Sequence, residues 1–197
     1  SVNFFINHTP SEEWFLQQHL IRADLGSGIS RSLPMSHRWL KPASGILKCN
    51  VHCSWVNDHA FCGGAWIIRN HFGDVLFHAR DAFLPRSNRI TAELSCILWC
   101  LQSLKDLHVL SCEIWTDCSA GVAVLESPRA WPKYHSLVDK IFDVRRTMGE
   151  ISFKLSAVTA NLVARDIAKS VTKDGRLTSY LALGGPAWLQ ERIVQEQ

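Results

Sequence analysis

The stretch from Lys48 to Trp55, KCNVHCSW, brings two cysteines and a histidine within five positions of one another. Thiolate and imidazole groups at short spacing are typical zinc ligands. The same stretch alternates as a β-strand does, and alternation places Cys49 and Cys53 on the face opposite His52. Cys49 and His52 have CxxH spacing, but no second pair completes a ligand set, so we interpret both cysteines as buried thiols.

Two acids further along the chain stand where carboxylates also have a purely structural explanation. Glu93 falls in the first turn of a helix predicted over Thr91–Leu107, where its charge suits the helix dipole. Asp117 ends a predicted strand and precedes a helix that begins near Ser119, so it fits an N-cap. Spacing alone does not separate these structural interpretations from a catalytic role.

Hydrophobic periodicity predicts the elements that position these residues. The predicted strands cover 46–55, 63–70, 75–83, 112–117 and 151–158, and the predicted helices cover 91–107, a stretch from 119, 135–148 and 161–172. The order β-β-β-α-β-α-α-β-α implies an α/β fold with a five-stranded mixed sheet. Its first three strands are expected to be antiparallel and the rest parallel, with helices on both faces.

The chain of 197 residues suits one domain with extensions. Residues 1–45 are irregular and are predicted to be an N-terminal linker, with a short helix at Ser11–Leu20 and with Trp39 anchoring its end. The domain itself is predicted to cover residues 46–175. Residues 176–197 are predicted to be a C-terminal tail that carries a short helix.

Charge, hydropathy and cysteine content limit the classes of protein to which this chain can belong. The net charge of +3 permits a polyanionic partner without indicating one. No apolar run approaches the ~20 residues that a membrane span needs, and the first residues lack the pattern of a signal peptide. The seven cysteines are odd in number and scattered, which is typical of reduced thiols in an intracellular compartment, nuclear or cytoplasmic.

Five short motifs follow one another along the predicted strands and helices. They are Lys48-Cys49-Asn50-Val51-His52-Cys53-Ser54, Gly63-Gly64 with Arg69-Asn70, Ala92-Glu93-Leu94, Thr116-Asp117-Cys118, and Asn161 to Lys169 (NLVARDIAK). Together they resemble the plant reverse-transcriptase-like RNase H domain family, which is related to the RNase H of non-LTR retroelements. The resemblance implies an RNase H-like fold of retroelement origin.

The resemblance also implies a site of four carboxylates that hold two Mg²⁺ ions and hydrolyse the RNA strand of an RNA–DNA hybrid. Hard divalent ions require several oxygen ligands, and two such ions activate the attacking water and stabilise the leaving oxygen. In this sequence the four positions are His52, Glu93, Asp117 and Arg165. Two acids are retained, whereas His52 and Arg165 replace the first and the last aspartate.

The two replacements oppose metal binding through charge and through ligand type. A unit charge pair about 4 Å apart costs about 4 kcal/mol at an effective dielectric of about 20, and a dication beside Arg165 faces about twice that. A neutral imidazole cannot bridge two Mg²⁺ ions as a carboxylate does. Asp166 follows Arg165 on the helix and should face elsewhere. We expect His52 to pair with Glu93 or Asp117, and Arg165 to bridge both acids.

These residues favour an RNase H-like nucleic-acid-binding domain with a degenerate acidic site that is catalytically weak or inactive. Its expected partner is RNA or an RNA–DNA hybrid, and Mg²⁺ binding at Glu93 and Asp117 is expected to be weak if it occurs. One alternative is an active metal-dependent hybrid ribonuclease with a rearranged site; a second is a vestigial or protein-interaction domain. Seven basic residues could contact phosphates, although scattered surface charge is the simpler interpretation: Arg80, Arg86, Arg89, Arg129, Lys133, Arg145 and Arg146.

Overall fold

Alternating apolar residues build one mixed sheet in the computed structural model, which describes residues 35–173, 175 and 177–197. Its strands are β1 (Lys48–Ser54), β2 (Cys62–Arg69), β3 (Val75–Phe83), β4 (Cys112–Thr116), β5 (Ile151–Leu155) and β6 (Tyr180–Leu183). They lie in the order β5-β4-β1-β2-β3-β6. The strands β1, β2 and β3 form the predicted antiparallel meander, and β4 and β5 extend the sheet in parallel beyond β1.

Five α-helices connect and flank these strands within the described residues. They are α1 (Arg89–Asp106), α2 (Ser119–Glu126), α3 (His135–Arg146), α4 (Leu162–Lys173) and α5 (Gln190–Glu196). The first helix begins two residues earlier than predicted, because the side chain of Asn88 accepts a hydrogen bond from the Thr91 N–H at 2.8 Å and caps it. The predicted helix at Ser11–Leu20 lies outside the described residues.

The two faces of the sheet are covered by different helices. Cys49 Sγ lies 3.6 Å from Cys100 Sγ of α1, whereas the next residue, Asn50, donates from Nδ2 to Asn161 Oδ1 at 3.0 Å, just before α4. Because neighbouring strand residues point to opposite faces, α1 and α4 lie on opposite sides of β1. His52 therefore shares the α4 face with Asn50, and Cys49 lies on the α1 face, as alternation predicts.

Close packing of β2 requires the two glycines of its motif. A Cβ on Gly63 would lie 2.0 Å from the Ala168 carbonyl oxygen of α4. A Cβ on Gly64 would lie 2.2 Å from the Phe83 ring and 3.0 Å from Cys96 Sγ of α1. The pair thus lets helices approach β2 from both faces, which brings α1 and α4 close enough to β1 to place their side chains in one site.

The prediction of a five-stranded sheet is wrong, because the segment predicted as a tail adds a sixth strand. β6 pairs antiparallel with β3, and the Gly184 N–H donates to the Leu76 carbonyl at 2.9 Å. The strand has only four residues and precedes Gly184-Gly185-Pro186, so its periodicity is too short to identify from sequence. The domain boundaries at 45 and 175 remain a prediction.

The residues before β1 are fixed to the sheet through one aromatic side chain. Trp39 is buried, and its Nε1–H donates to Asn50 Oδ1 at 2.8 Å, so the predicted anchor is present. In the part of the chain that the structure describes, none of the helices combines the length and the apolar character needed to cross a bilayer.

Candidate functional site

The fold brings the four sequence-predicted site residues together. His52 lies on β1, Asp117 follows the neighbouring parallel strand β4, Glu93 lies on α1, and Arg165 lies on α4. The carboxyl ends of parallel neighbours meet at one edge, so His52 Nδ1 comes within 3.1 Å of Asp117 Oδ1. Arg165 Nη1 donates to Asp117 Oδ2 at 2.9 Å. These four residues are called the substituted site below.

Asp117 is the centre of the substituted site. Its side chain is fully buried, and Asn161 Nδ2 also donates to its Oδ2 at 3.2 Å. Burial alone would raise the pKa of Asp117, but the hydrogen bond and charge of His52, followed by those of Arg165, outweigh burial and lower the pKa to about 2. Asp117 is not the predicted N-cap, because Cys118 occupies that position of α2 without a side-chain cap.

Glu93 is held by neutral donors and not by the cations. Its Oε2 accepts from the Cys53 backbone N–H at 2.9 Å, and its Oε1 accepts from the Thr116 hydroxyl at 2.6 Å. Complete burial raises the pKa of Glu93, against the charge of His52 and the bond from Thr116. The prediction that Glu93 lies in the first turn is wrong, because α1 begins at Arg89 and Glu93 is its fifth residue.

The predicted pairing is only partly correct. His52 pairs with Asp117, one of its two expected partners. Arg165 does not bridge both acids: its ion pair is with Asp117, while protein donors occupy both Glu93 oxygens. The reason is geometric, because Glu93 reaches the β1–β4 junction from the α1 face, whereas Arg165 approaches from the α4 face.

The donors present do not fit a pair of Mg²⁺ ions. All four oxygens of Glu93 and Asp117 already contact protein donors, and one of those donors is a guanidinium. A dication would have to displace the Arg165 charge from 2.9 Å. Within the described ranges, no group of three or more His, Cys, Asp and Glu side chains is arranged to hold a metal ion.

Neighbouring acids do not compensate for the lost aspartates. Asp166 pairs with Arg192 of α5, so it faces away from the substituted site as predicted. Asp58 is exposed in the turn between β1 and β2, beside His59. Neither carboxylate therefore adds an oxygen ligand to Glu93 and Asp117.

Two residues that contact the site were not predicted as members of it. Asn161 donates to both the Val51 carbonyl at 3.0 Å and Asp117, which fixes the start of α4 against β1. Arg89 Nη2 lies 4.0 Å from Asp117 Oδ1. Asn161 opens the last sequence motif, so the motif contained the signal for it; Arg89 stood only among seven dispersed basic residues.

Comparison with known proteins gives the relationships of this chain. Residues 50–171, more than half of the chain, match the family model described as reverse transcriptase-like. The protein phosphatase 2C-like protein 45 of Arabidopsis thaliana is 37% identical over 99 residues, which is 50% of this chain but only 38% of that protein. The chain thus spans well under half of that relative, and the relative's name describes a longer protein.

Solved structures establish the fold. RNase H1 from the archaeon Halobacterium salinarum NRC-1 superimposes with a TM-score of 0.59 and 15% identity, covering 66% of this chain and 100% of that one. LC11-RNase H1 in complex with an RNA/DNA hybrid gives a TM-score of 0.56 and 11% identity, covering 65% and 97%. At these identities the likeness concerns the fold alone. The chain belongs to the reverse transcriptase-like family, and its domain has the RNase H-like fold.

Proposed function

We propose that this domain binds RNA or an RNA–DNA hybrid without hydrolysing it efficiently. The observation that carries the proposal is the hydrogen bond from Arg165 to Asp117, which closes the substituted site to a second cation. Support for a nucleic-acid ligand comes from the fold, since a structural neighbour is named as a complex with an RNA/DNA hybrid. The domain then retains a surface for duplex shape and backbone while lacking the metal chemistry.

The positions of the ionisable groups support the absence of hydrolysis. Glu93 is fully buried, and the side chain of His52 is 5% exposed, so neither reaches a bound phosphodiester. Asp117 lies behind the guanidinium that pairs with it. A general base must come within hydrogen-bond distance of the water it activates. Without a metal-bound water, none of these groups is placed to supply the nucleophile.

A cleavage assay on a labelled RNA–DNA hybrid tests the catalytic half of this proposal. With Mg²⁺ or Mn²⁺, wild-type protein should cleave no faster than the Glu93→Gln and Asp117→Asn variants. Cleavage that disappears in both variants would instead establish an active ribonuclease with a rearranged site.

A gel-shift series tests the binding half. Hybrid and duplex RNA should bind at low salt, and the affinity should fall as salt rises, because phosphate contacts release counterions. Failure to bind either duplex at low salt would favour a vestigial or protein-interaction domain.

We also propose an intracellular, reducing location. All seven cysteines are unpaired and buried, which suits a compartment that keeps thiols reduced. Alkylation of the unfolded protein, taken directly from cells, should label all seven thiols, and a smaller number would contradict this location.

A further inference from the structure

The charges of the substituted site are arranged in two layers. The carboxylates of Glu93 and Asp117 are fully buried. Two guanidiniums near these carboxylates are more exposed: 20% of the Arg165 side chain is accessible, and so is 36% of the side chain of Arg89, which lies beside the site. A ligand that approaches this part of the surface therefore meets positive charge first, with the negative charge behind it.

The Arg165 guanidinium has donors available beyond its bond to Asp117. A guanidinium carries five N–H donors in a planar fork. Nη1 contacts Asp117, and among the residues that the structure describes no hydrogen-bond partner is found for Nε or Nη2. Asp117, itself held by His52 and Asn161, fixes the direction of the fork. A guanidinium held in this orientation can donate hydrogen bonds from its remaining N–H groups to two oxygens of a phosphate.

Arg89 adds a second cation on the other side of the same carboxylate. Its Nη2 lies 4.0 Å from Asp117 Oδ1, whereas Arg165 contacts Oδ2. The two guanidiniums therefore flank Asp117 from α1 and α4. At 4.0 Å the distance is longer than a hydrogen bond, so Arg89 acts on Asp117 through its charge.

We propose that Arg165 and Arg89 form a metal-independent binding site for a backbone phosphate of an RNA-containing duplex. This site is called the seat below. This inference rests on the proposed binding of RNA or hybrid, and it names the contact that replaces the lost ions. Two permanent guanidinium charges take the part that divalent cations have in a four-carboxylate site. Duplex affinity should therefore not depend on Mg²⁺.

Fluorescence anisotropy with a labelled RNA–DNA hybrid tests the seat. Wild-type protein is titrated in EDTA and in Mg²⁺ at matched ionic strength, and the two dissociation constants should agree within about twofold. Arg89→Ala should weaken binding about three- to tenfold and reduce the slope of log affinity against log salt by about one. Arg165→Lys, which keeps the charge beside Asp117 but removes the fork, should weaken binding in the same direction.

Arg192→Ala is the matched control, because it removes the same charge from a half-exposed position on α5 and Arg192 is not one of the seven candidate phosphate contacts. If Arg89→Ala and Arg165→Lys bind as tightly as Arg192→Ala, the seat is wrong while duplex binding stands. Affinity that rises tenfold with Mg²⁺ would also overturn the seat, since a metal would then hold the phosphate. No binding by wild-type protein at low salt would overturn the proposed function itself.

Melting curves show whether each variant is folded. If Arg165→Lys does not fold, Arg89→Ala, at a half-exposed position, provides the test.

Discussion

Two charged clusters contain side chains on the α4 face of the sheet, and their charges are layered in opposite order. One is the substituted site. The other, called the Trp39 cluster, consists of Trp39, Lys48, Arg69 and Glu196. In the Trp39 cluster the cation is inside, because the Arg69 side chain is 1% exposed and its partner Glu196 is 15% exposed. In the substituted site the acid is inside, because Asp117 is fully buried and Arg165 is 20% exposed.

The inward cation of the Trp39 cluster holds the ends of the described domain together. Arg69 Nη1 lies 2.8 Å from Glu196 Oε2 of α5, and its guanidinium carbon lies 4.3 Å from the centre of the Trp39 ring. Lys48 Nζ donates to the Leu40 carbonyl at 2.9 Å, and burial lowers the pKa of Lys48 to about 8 despite the charge of Glu113. Such contacts stabilise the fold, whereas outward cations also attract an anionic ligand. If the proposed function holds, the order of the layers distinguishes a structural cluster from a binding site.

Replacing the inward cation should have the largest effect on stability. Arg69→Met removes the partner of Glu196 and the stacking on Trp39, and we expect a loss of about 3 kcal/mol in the free energy of unfolding. Hybrid affinity of the folded fraction should not change. Urea unfolding and anisotropy measure the two quantities. A variant that loses affinity but keeps its stability would reverse the roles assigned to the two clusters.

Replacing the outward cation should have a smaller effect on stability and a clear effect on binding. Arg165→Ala leaves Asp117 with His52 and Asn161 as partners, so we expect a loss of about 1–3 kcal/mol. Arg192→Ala is the control. Arg192 of α5 pairs with Asp166, which lies on the same helix as Arg165, and the Arg192 side chain is half-exposed. Ion pairs in such positions contribute at most about 1 kcal/mol. Unchanged melting of Arg165→Ala would count against the ion-pair network.

The low pKa of Asp117 makes part of the stability depend on acid pH. A carboxyl whose pKa is lowered on folding stabilises the native state above its unfolded pKa, and that stability is lost as the pH falls through the folded pKa. The stability difference between wild type and Asp117→Asn should therefore shrink by about 2 kcal/mol between pH 5 and pH 2, since the pKa is lowered from 3.8 to about 2. Urea unfolding at both pH values measures it, and a constant difference would contradict the pairing.

Glu93 should show the opposite dependence of stability on pH. Because burial raises its pKa, the native state favours the protonated acid, and stability is lost as the pH rises through the folded pKa. Glu93→Gln should therefore gain stability relative to wild type as the pH rises from 5 to 8. A stability difference between wild type and Glu93→Gln that is the same at pH 5 and pH 8 would show that Glu93 is not buried as the structure has it.

The sequence predicted more of the fold than of the contacts inside the site. Strong alternation in β1 to β3 and helical periodicity after residue 89 identified the elements, and the motifs identified the four positions. That Arg165 pairs with Asp117 and not also with Glu93 was not predictable, because it depends on which face of β1 each helix covers. Arg89 was missed as a site residue because its position beside Asp117 depends on where α1 begins. The cap at Asn88 sets that start.

Calorimetric titration of Mg²⁺ tests the central claim, that the substitutions at His52 and Arg165 have closed this site to metal ions. Wild-type protein and the His52→Asp/Arg165→Asp double variant are compared at millimolar Mg²⁺. We predict no saturable binding to wild type and saturable binding to the double variant, because only the latter has four carboxylates. Two ions bound by wild type, and lost in Glu93→Gln, would contradict the account.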